Sequence, residues 1–243
     1  MKKRIYFLLL SVVAIFSSCK ESSDEFVEQL FTDTQITLAL NQCADSVVVK
    51  TCNALCVVDS TNHKFGYYYL DLESYRIGLS AEMQQIVDTL EAHGYQNKVD
   101  SLIYLLNRAA EQCGNRVIQF WQPTIKDMTY PNPNLVLHES NSAITNYYKT
   151  QKQNEFVSLL LSSLNEQFTI LEVNEIWNEI RDTYTDITGL TLIYVMNPLL
   201  APTAEKMATG FFKKMTIEEE TIRKNPALWG SPNGLFYKVF ATL

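Results

Sequence analysis

The sequence is poor in the residues on which many catalytic sites are built. Its three histidines are His63, His93 and His138, and none lies in a Gly-x-Ser-x-Gly or His-Glu-x-x-His pattern. The eight glycines form no phosphate-binding loop, and with only seven prolines the chain does not resemble a turn-rich β-sandwich. We therefore expect a helical protein, and we find no positive argument for an enzyme.

Basic residues are also scarce, and three of the 20 lie within the first four positions. The other 17 stand against 27 acidic side chains, so residues 19–243 carry a formal charge of −10. An acidic surface repels phosphate backbones, which excludes nucleic acid as an expected partner. It also repels anionic lipid, so a membrane would not be reached through a basic face.

The cysteines are few, and their spacing predicts no metal site or cofactor. Cys52 and Cys56 with His63 have no fourth ligand at a spacing typical of zinc. A direct disulfide between Cys52 and Cys56, one helical turn apart, would need distorted geometry. An oxidising compartment permits disulfides, but we expect Cys43, Cys52, Cys56 and Cys113 to be buried free thiols.

The first eighteen residues have the pattern of an export signal. Basic Lys2-Lys3-Arg4 precedes the apolar run from Ile5 to Phe16, and Ser17-Ser18-Cys19 follows. The run is too short for a spanning helix. This end resembles the lipobox of bacterial lipoproteins, which implies a signal peptide over 1–18 and acylation of Cys19. An ordinary secretory signal with a bystander cysteine is the alternative.

Residues 19–30 are predicted to tether the fold to the membrane. The polar run Lys20–Glu25 is typical of a short solvated linker. Lys20, rather than Asp, follows the cysteine, and this resembles lipoproteins that are sorted to the outer membrane. The acidic residues also resemble the signals that send some Bacteroidetes lipoproteins to the cell surface, so the periplasmic face and the cell surface both remain open.

Hydrophobic periodicity predicts an all-α, single-domain multi-helix bundle over residues 31–243. A capping box at Thr32 and Gln35 begins the first helix, and Asn134 is expected to cap a later one. Pro123 should lie near a helix start or force a kink. Helices are predicted over 33–55, 80–93, 97–112, 115–128, 134–148, 156–168, 172–187, 203–224 and 234–240. An irregular aromatic segment fills 57–79, and the apolar stretch 189–202 is either a buried connection or a surface patch.

Several short segments carry a resemblance to a known family. They are 107–111, 126–129, 143–148, 210–212, 218–220, 222–226 and 238–240. In order and spacing they resemble bacterial lipoproteins catalogued as domain of unknown function 4197. Leu137–Asn141 replaces a Gly-Asp turn of that family, and 191–200 is more apolar than usual. The resemblance implies a secreted, lipid-anchored, mainly helical domain and brings no established activity.

These segments contain a candidate binding or structural network. It comprises Asn107, Arg108, Glu111, Thr145, Tyr148 and Arg223. Arg108 and Glu111 are neighbours on one predicted helix face, and Glu219 or Glu220 could complete a partly buried set of charges. The set is interpreted either as a structural lock between helices or as an anion site built on Arg108 and Arg223.

The favoured function is that of a lipid-anchored envelope protein that binds a partner or acts as a scaffold without catalysis. Its partner would be a small hydrophobic ligand or another envelope protein. The predicted binding groove is lined by Tyr147, Tyr148, Phe211 and Phe212. One alternative is an envelope hydrolase that uses His138 with Glu139 and a nearby hydroxyl. The other is a purely structural envelope protein.

Overall fold

The fold is all-α, as the periodicity predicted. A computed structural model describes residues 30–56, 66–67, 75–192 and 198–243, and these contain helices but no strand. Residues from Phe31 onward form one compact unit. The helices are α1 (Asp33–Leu55), α2 (Gln84–Ala92), α3 (Gln96–Gln112), α4 (Gly114–Asp127), α5 (Pro133–Glu139), α6 (Ala143–Ile170), α7 (Val173–Thr188), α8 (Leu200–Lys224) and α9 (Leu235–Phe240), with short 3₁₀ turns at Ala81–Met83 and Pro226–Leu228.

Some predictions concern residues outside these ranges. The signal peptide over 1–18, the acylated Cys19 and the tether as far as residue 29 are among them. So are His63, most of the aromatic segment 57–79 and residues 193–197 of the apolar stretch.

Helix α1 is the central element of the bundle, and its start matches the prediction. The Thr32 hydroxyl accepts a hydrogen bond from the Gln35 amide at 3.3 Å, and the Gln35 side chain accepts one from the Thr32 amide at 2.9 Å. This reciprocal capping box satisfies two amides that the helix leaves free. Apolar positions along α1, including Ile36, Leu40 and Val47, are buried against α4, α5, α8 and α9.

Helices α4 and α8 run antiparallel to α1, which gives the bundle two distinguishable ends. Gly114 at the start of α4 lies against Cys56, just beyond α1, whereas Asn41 near the start of α1 donates to the Met128 carbonyl at 3.2 Å. The Tyr67 hydroxyl donates to the Met207 carbonyl in the first half of α8. We call the end with the start of α1 the near end and the opposite end the far end.

The core is aromatic where α4, α6 and α8 meet. Trp121 is fully buried, and its ring centroid lies 5.2 Å from that of Phe156 and 6.2 Å from that of Phe211. Tyr148 and Phe212 pack edge-on against the same indole. The predicted groove is therefore wrong at Tyr148, Phe211 and Phe212, because these side chains fill the core; Tyr147 is half-buried.

Two predicted helix boundaries are also wrong. Asn132, not Asn134, caps α5, since its side chain accepts from the Leu135 amide at 2.9 Å. Ser140 then adopts an extended backbone and separates α5 from α6, which continues unbroken through the predicted 156–168 helix to Ile170. Pro123 lies inside α4 rather than at its start.

The apolar stretch 189–202 has a mixed environment in its described part. Leu199 is buried, Leu192 packs against the core from a partly buried position, and Leu190 is 59% exposed. Among the described residues, no helix has both the length and the apolar character needed to cross a membrane.

Candidate functional site

The six residues of the predicted network have different hydrogen-bond partners and fall into separate clusters. One cluster holds Asn107, a second Arg108 and Glu111, a third Thr145 and Arg223, and a fourth Tyr148. The expectation that Glu219 or Glu220 completes the Arg108 pair is wrong. Glu219 belongs to the cluster of Arg223, and Glu220 pairs with Lys224 at the surface, 3.5 Å away.

The third cluster is a salt bridge sealed inside the near end. Arg223 donates from Nε to Glu219 Oε1 at 2.8 Å, and the two side chains are 2% and 0% exposed. Glu219 also accepts from the backbone amides of Ile144 at 3.0 Å and Thr145 at 2.7 Å. We call Glu219 and Arg223 the sealed pair. Its carboxylate caps the start of α6, where the helix dipole favours a negative charge.

The guanidinium of the sealed pair holds the end of α5. Arg223 donates to the carbonyl oxygens of Leu137 at 2.7 Å and Val136 at 3.3 Å, and it lies 5.4 Å from the centre of the Phe240 ring. These carbonyls belong to the last turn, where a helix favours a cation. The sealed pair therefore joins α8 to the facing ends of α5 and α6.

Burial raises the pKa of Glu219 above its ordinary value. The Arg223 guanidinium and the amides of Thr145 and Ile144 oppose this shift, because each favours the charged carboxylate. A buried ion pair is stable only when its partners satisfy both charges, and here backbone groups supply that satisfaction. The geometry of the sealed pair is that of a structural clamp.

Asn107 fixes an irregular segment on α3. Its side-chain oxygen accepts from the Ile77 amide at 2.8 Å, and its nitrogen donates to the Ile77 and Ile103 carbonyls at 2.7 Å each. The amide side chain thus replaces the backbone partner that Ile77 would find in a sheet. This explains how a non-helical stretch can pass through a buried position.

Tyr148 belongs to a small hydroxyl cluster at the near end. The hydroxyls of Tyr130 and Tyr148 lie 3.0 and 3.4 Å from Asn41 Oδ1 and 3.3 Å from each other. Burial raises the pKa of both tyrosines, so each remains a neutral phenol in the folded protein. The cluster joins α1, α6 and the loop that follows α4.

The second cluster borders a pocket at the far end. Arg108 donates to Glu111 Oε2 at 2.5 Å, and the side chain of Arg108 is 18% exposed while that of Glu111 is 0% exposed. We call these two residues the pocket pair. The pocket has a volume of about 220 Å³ and lies between the ends of α1 and α3 and the start of α4. Its lining comprises Cys52, Asn53, Cys56, Glu111, Gln112, Gly114, Asn115 and Ile118.

Two thiols, those of Cys52 and Cys56, line this pocket, and Cys113 stands in the chain between its lining residues Gln112 and Gly114. Cys56 is half-buried one helical turn after Cys52, and the Cys113 thiol donates to the Ala109 carbonyl at 3.3 Å. The neighbouring Cys52 thiol, followed by burial, raises the pKa of Cys56, and burial raises that of Cys113 to about 12. Both thiols are therefore protonated at neutral pH. The prediction of free thiols is confirmed, with Cys56 less buried than the others.

Two glycines that the sequence analysis did not single out shape the far end. Gly66 has φ +95, and a Cβ there would overlap the carboxylate of Glu111. A Cβ at Gly114 would lie 2.6 Å from Cys56 Cβ, closer than real contacts allow. At both positions the backbone lies so close to a neighbouring side chain that a larger residue would not fit. An isolated glycine in the sequence can indicate such a close approach.

The residues proposed for hydrolysis do not form a site. His138 and Glu139 are both exposed in the last turn of α5. Within the described ranges neither side chain takes part in a hydrogen bond or ion pair that would orient a base. The described residues likewise contain no group of three or more His, Cys, Asp or Glu side chains placed to hold a metal ion.

Comparison with known proteins identifies the family. A model of DUF4197, described as a protein of unknown function, matches residues 33–241, so the chain belongs to that family. The matched range covers all the clusters described above. No curated protein and no solved structure matches the chain.

Proposed function

We propose that this member of the DUF4197 family is a lipid-anchored envelope protein whose helical domain is a non-enzymatic scaffold for another envelope protein. The observation that carries the proposal is the order of the segments along the chain. An apolar run ends in Ser17-Ser18-Cys19, a short polar segment follows, and the compact unit begins at Phe31. Acylation of Cys19 would supply membrane affinity that a −10 surface would not.

The interior favours a protein partner over a small hydrophobic ligand. The aromatics that could have lined a groove pack against one another around Trp121. The far-end pocket, at about 220 Å³, is smaller than the roughly 300–1,000 Å³ typical of ligand sites. A cleft of about 460 Å³ between α6 and α8 is lined mainly by polar side chains such as Gln153 and Glu205, and one of about 390 Å³ is bordered by α3 alone. A domain whose core is filled by its own side chains and that presents its outer surface fits a scaffold role best.

The membrane in question is the outer membrane of a Gram-negative cell. Lys20 after Cys19 supports this location, because an Asp at that position resembles the signal that retains lipoproteins at the inner membrane. The eleven residues 20–30 have a maximum span of roughly 40 Å, so the domain is held close to the bilayer.

Acyl labelling in a Gram-negative host tests the anchor. The wild-type chain should incorporate an alkyne-tagged fatty acid and sediment with the outer membrane, whereas Cys19→Ser should do neither. Cys43→Ser is the matched control, because Cys43 is a buried core thiol, and it should label like the wild type. Absence of label on the wild-type protein, or equal label on Cys19→Ser, would overturn the anchor.

A purely structural envelope protein is the second candidate, and the sealed pair favours it because its charges are used to join helices. Photo-crosslinking in cells distinguishes the two roles. A photoreactive amino acid is placed at one exposed position at a time, on different helices. Leu38, Leu135, Ile170 and Leu228 suit this purpose, since each is at least 52% exposed. One discrete protein adduct confined to one position supports the scaffold; no adduct at any position supports the structural candidate.

A further inference from the structure

The thiol pair at the end of α1 is a buried nucleophilic cluster that the scaffold role does not use. We propose that Cys52 and Cys56 are an oxidisable dithiol, which closes to a disulfide when a disulfide oxidant reaches the pocket. The proposal rests on the proposed function in one respect, because export would place the chain in an oxidising compartment.

The two thiols differ in access, and this difference assigns their order of reaction. Cys56 is half-buried, whereas Cys52 is 2% exposed, and both line the far-end pocket. An oxidant that enters the pocket therefore meets Cys56 first. Cys52 lies one helical turn before Cys56 on the same pocket wall, and its carbonyl accepts from the Cys56 amide at 2.8 Å, so its thiol is placed to displace the oxidant.

The backbone allows the pair to close because Cys56 lies beyond the last helical residue. Residues four apart on a helix have Cβ atoms about 5–6 Å apart, and a disulfide needs roughly 3.5–4.5 Å. Helix α1 ends at Leu55, and Cys56 is held by the hydrogen bond of its amide to the Cys52 carbonyl at 2.8 Å. A tightening of this terminal turn by 1–2 Å, estimated from these spacings, leaves the helix interior unchanged.

The chemistry is a pair of thiol–disulfide exchanges. Cys56 loses its proton, and its sulfur attacks one sulfur of a disulfide R–S–S–R, which releases one R–S⁻ and leaves a mixed disulfide. Cys52 then loses its proton and attacks the Cys56 sulfur, which releases the second R–S⁻. The two protons pass to the two leaving thiolates. The oxidant is reduced to two thiols as the Cys52–Cys56 bond forms.

The surroundings make this exchange slow rather than absent. The neighbouring Cys52 thiol and burial both raise the pKa of Cys56, so little thiolate exists at neutral pH. The reduced pair therefore closes slowly, over a prolonged exposure to a disulfide oxidant. Cys113, the third nearby thiol, donates to the carbonyl of its own helix and is directed away from exchange.

Peptide mapping of the purified full-length chain tests the proposal. The reduced protein is incubated with glutathione disulfide, denatured, alkylated and cleaved with trypsin. The tryptic peptide that follows Lys50 and ends at Lys64 contains both Cys52 and Cys56. A closed disulfide is detected as a peptide that carries no alkyl group and is two hydrogens lighter than the reduced, unalkylated peptide. A peptide that is fully alkylated at both cysteines, even after prolonged oxidation, would overturn the proposal.

Three variants test the order of attack. Cys52→Ser should trap glutathione on Cys56, Cys56→Ser should leave Cys52 free, and Cys113→Ser should close like the wild type. A Cys56–Cys113 linkage in the wild type would refute the assigned pair. Circular dichroism must match the wild type for each variant, and Cys52→Ala and Cys56→Ala replace any serine variant that unfolds. Because this oxidation is done on purified protein, its failure leaves the Cys19 labelling test untouched, and the reverse also holds.

Discussion

The sealed pair at the near end and the pocket pair at the far end have the same chemistry but different surroundings. Each joins an arginine to a glutamate about one helical turn away on the same helix. The arginine of the sealed pair is 2% exposed and reaches the carbonyls of α5, whereas the Arg108 side chain is 18% exposed beside a pocket. The comparison shows that sequence spacing predicts an ion pair but does not predict what the pair holds.

The difference matters energetically because burial changes the cost of losing a partner. At the near end, removal of one charge leaves the other in a closed environment with no access to water. At the far end, the Arg108 side chain is 18% exposed, so water can reach that charge when its partner is removed. Breaking a fully buried pair is therefore expected to cost more than breaking a pair that water can reach.

The largest expected effect is that of Glu219→Gln. It leaves the Arg223 charge buried and weakens the cap on α6, so we expect a loss of about 3–5 kcal/mol in the free energy of unfolding. Urea denaturation followed by circular dichroism measures this loss. Glu220→Gln is the matched control, since the Glu220–Lys224 pair is 42% and 61% exposed, and it should cost less than about 1 kcal/mol.

Glu111→Gln should have a smaller effect than Glu219→Gln. The substitution weakens the charge-assisted hydrogen bond with Arg108, which is worth about 1.5–3 kcal/mol, and it leaves an arginine side chain that is 18% exposed and can turn to water. The same urea titration measures it. Glu166→Gln, which weakens the exposed pair with Arg116, should cost less than about 1 kcal/mol. If Glu111→Gln cost as much as Glu219→Gln, the distinction between the two ends would be wrong.

Alkaline pH should destabilise both ends, because buried thiols and phenols have raised pKa values. Cys113 shifts from 9.0 to about 12, and Tyr67, Tyr130 and Tyr148 shift upward from 10.0. The unfolded chain therefore loses these protons first. Their contribution to stability is complete below pH 9 and falls as the pH rises, by about 1.4 kcal/mol per pH unit for each group that is ionised only when unfolded.

Urea denaturation at pH 8, 9, 10 and 11, chosen to bracket the ordinary pKa values, measures this slope. Tyr148→Phe removes one phenol at the near end and should make the slope above pH 10 shallower by one group. Tyr67→Phe should do the same at the far end. A slope that neither substitution changes would show that the tyrosines are not its cause.

The smallest expected effect is that of Thr32→Ala. Thr32 caps the helix that it precedes in the chain, whereas α6 is capped by Glu219 from another helix. Loss of the Thr32 hydroxyl should cost about 1 kcal/mol, as is typical of a lost helix cap. Thr34→Ala, an exposed change in the same turn, should cost only a few tenths of a kcal/mol in the same urea titration. A cost at Thr32 equal to that of Glu219→Gln would contradict the view that the remote cap carries the greater energy.

Sequence-based predictions were accurate where they rest on residues close together in the chain, and they failed where the contacts join distant parts of the chain. The start of α1 was predicted because Thr32 and Gln35 are neighbours in the chain, and the Arg108–Glu111 pair was predicted from one helical turn. The break between α5 and α6 was missed. Its amides and carbonyls are satisfied by Glu219 and Arg223, which are more than seventy residues away in the chain.

The candidate site was predicted in its members but not in its arrangement. Tyr148 and Phe211 were expected in a groove, yet aromatic spacing on a helix is the same whether the helix faces a groove or a core. The pocket depends on Gly66 and Gly114, whose importance becomes visible only when Glu111 and Cys56 lie against them.

The sequence by itself determined the helical class, the first helix with its capping box and the one-turn ion pair at Arg108 and Glu111. Each of these depends on residues within four positions, where helix geometry alone sets the distance. The tertiary structure decided which charges are sealed and which border a pocket. It also placed Cys56 beside Gly114 and Glu219 at the start of α6. Burial depends on the packing of distant helices, and no local pattern contains that information.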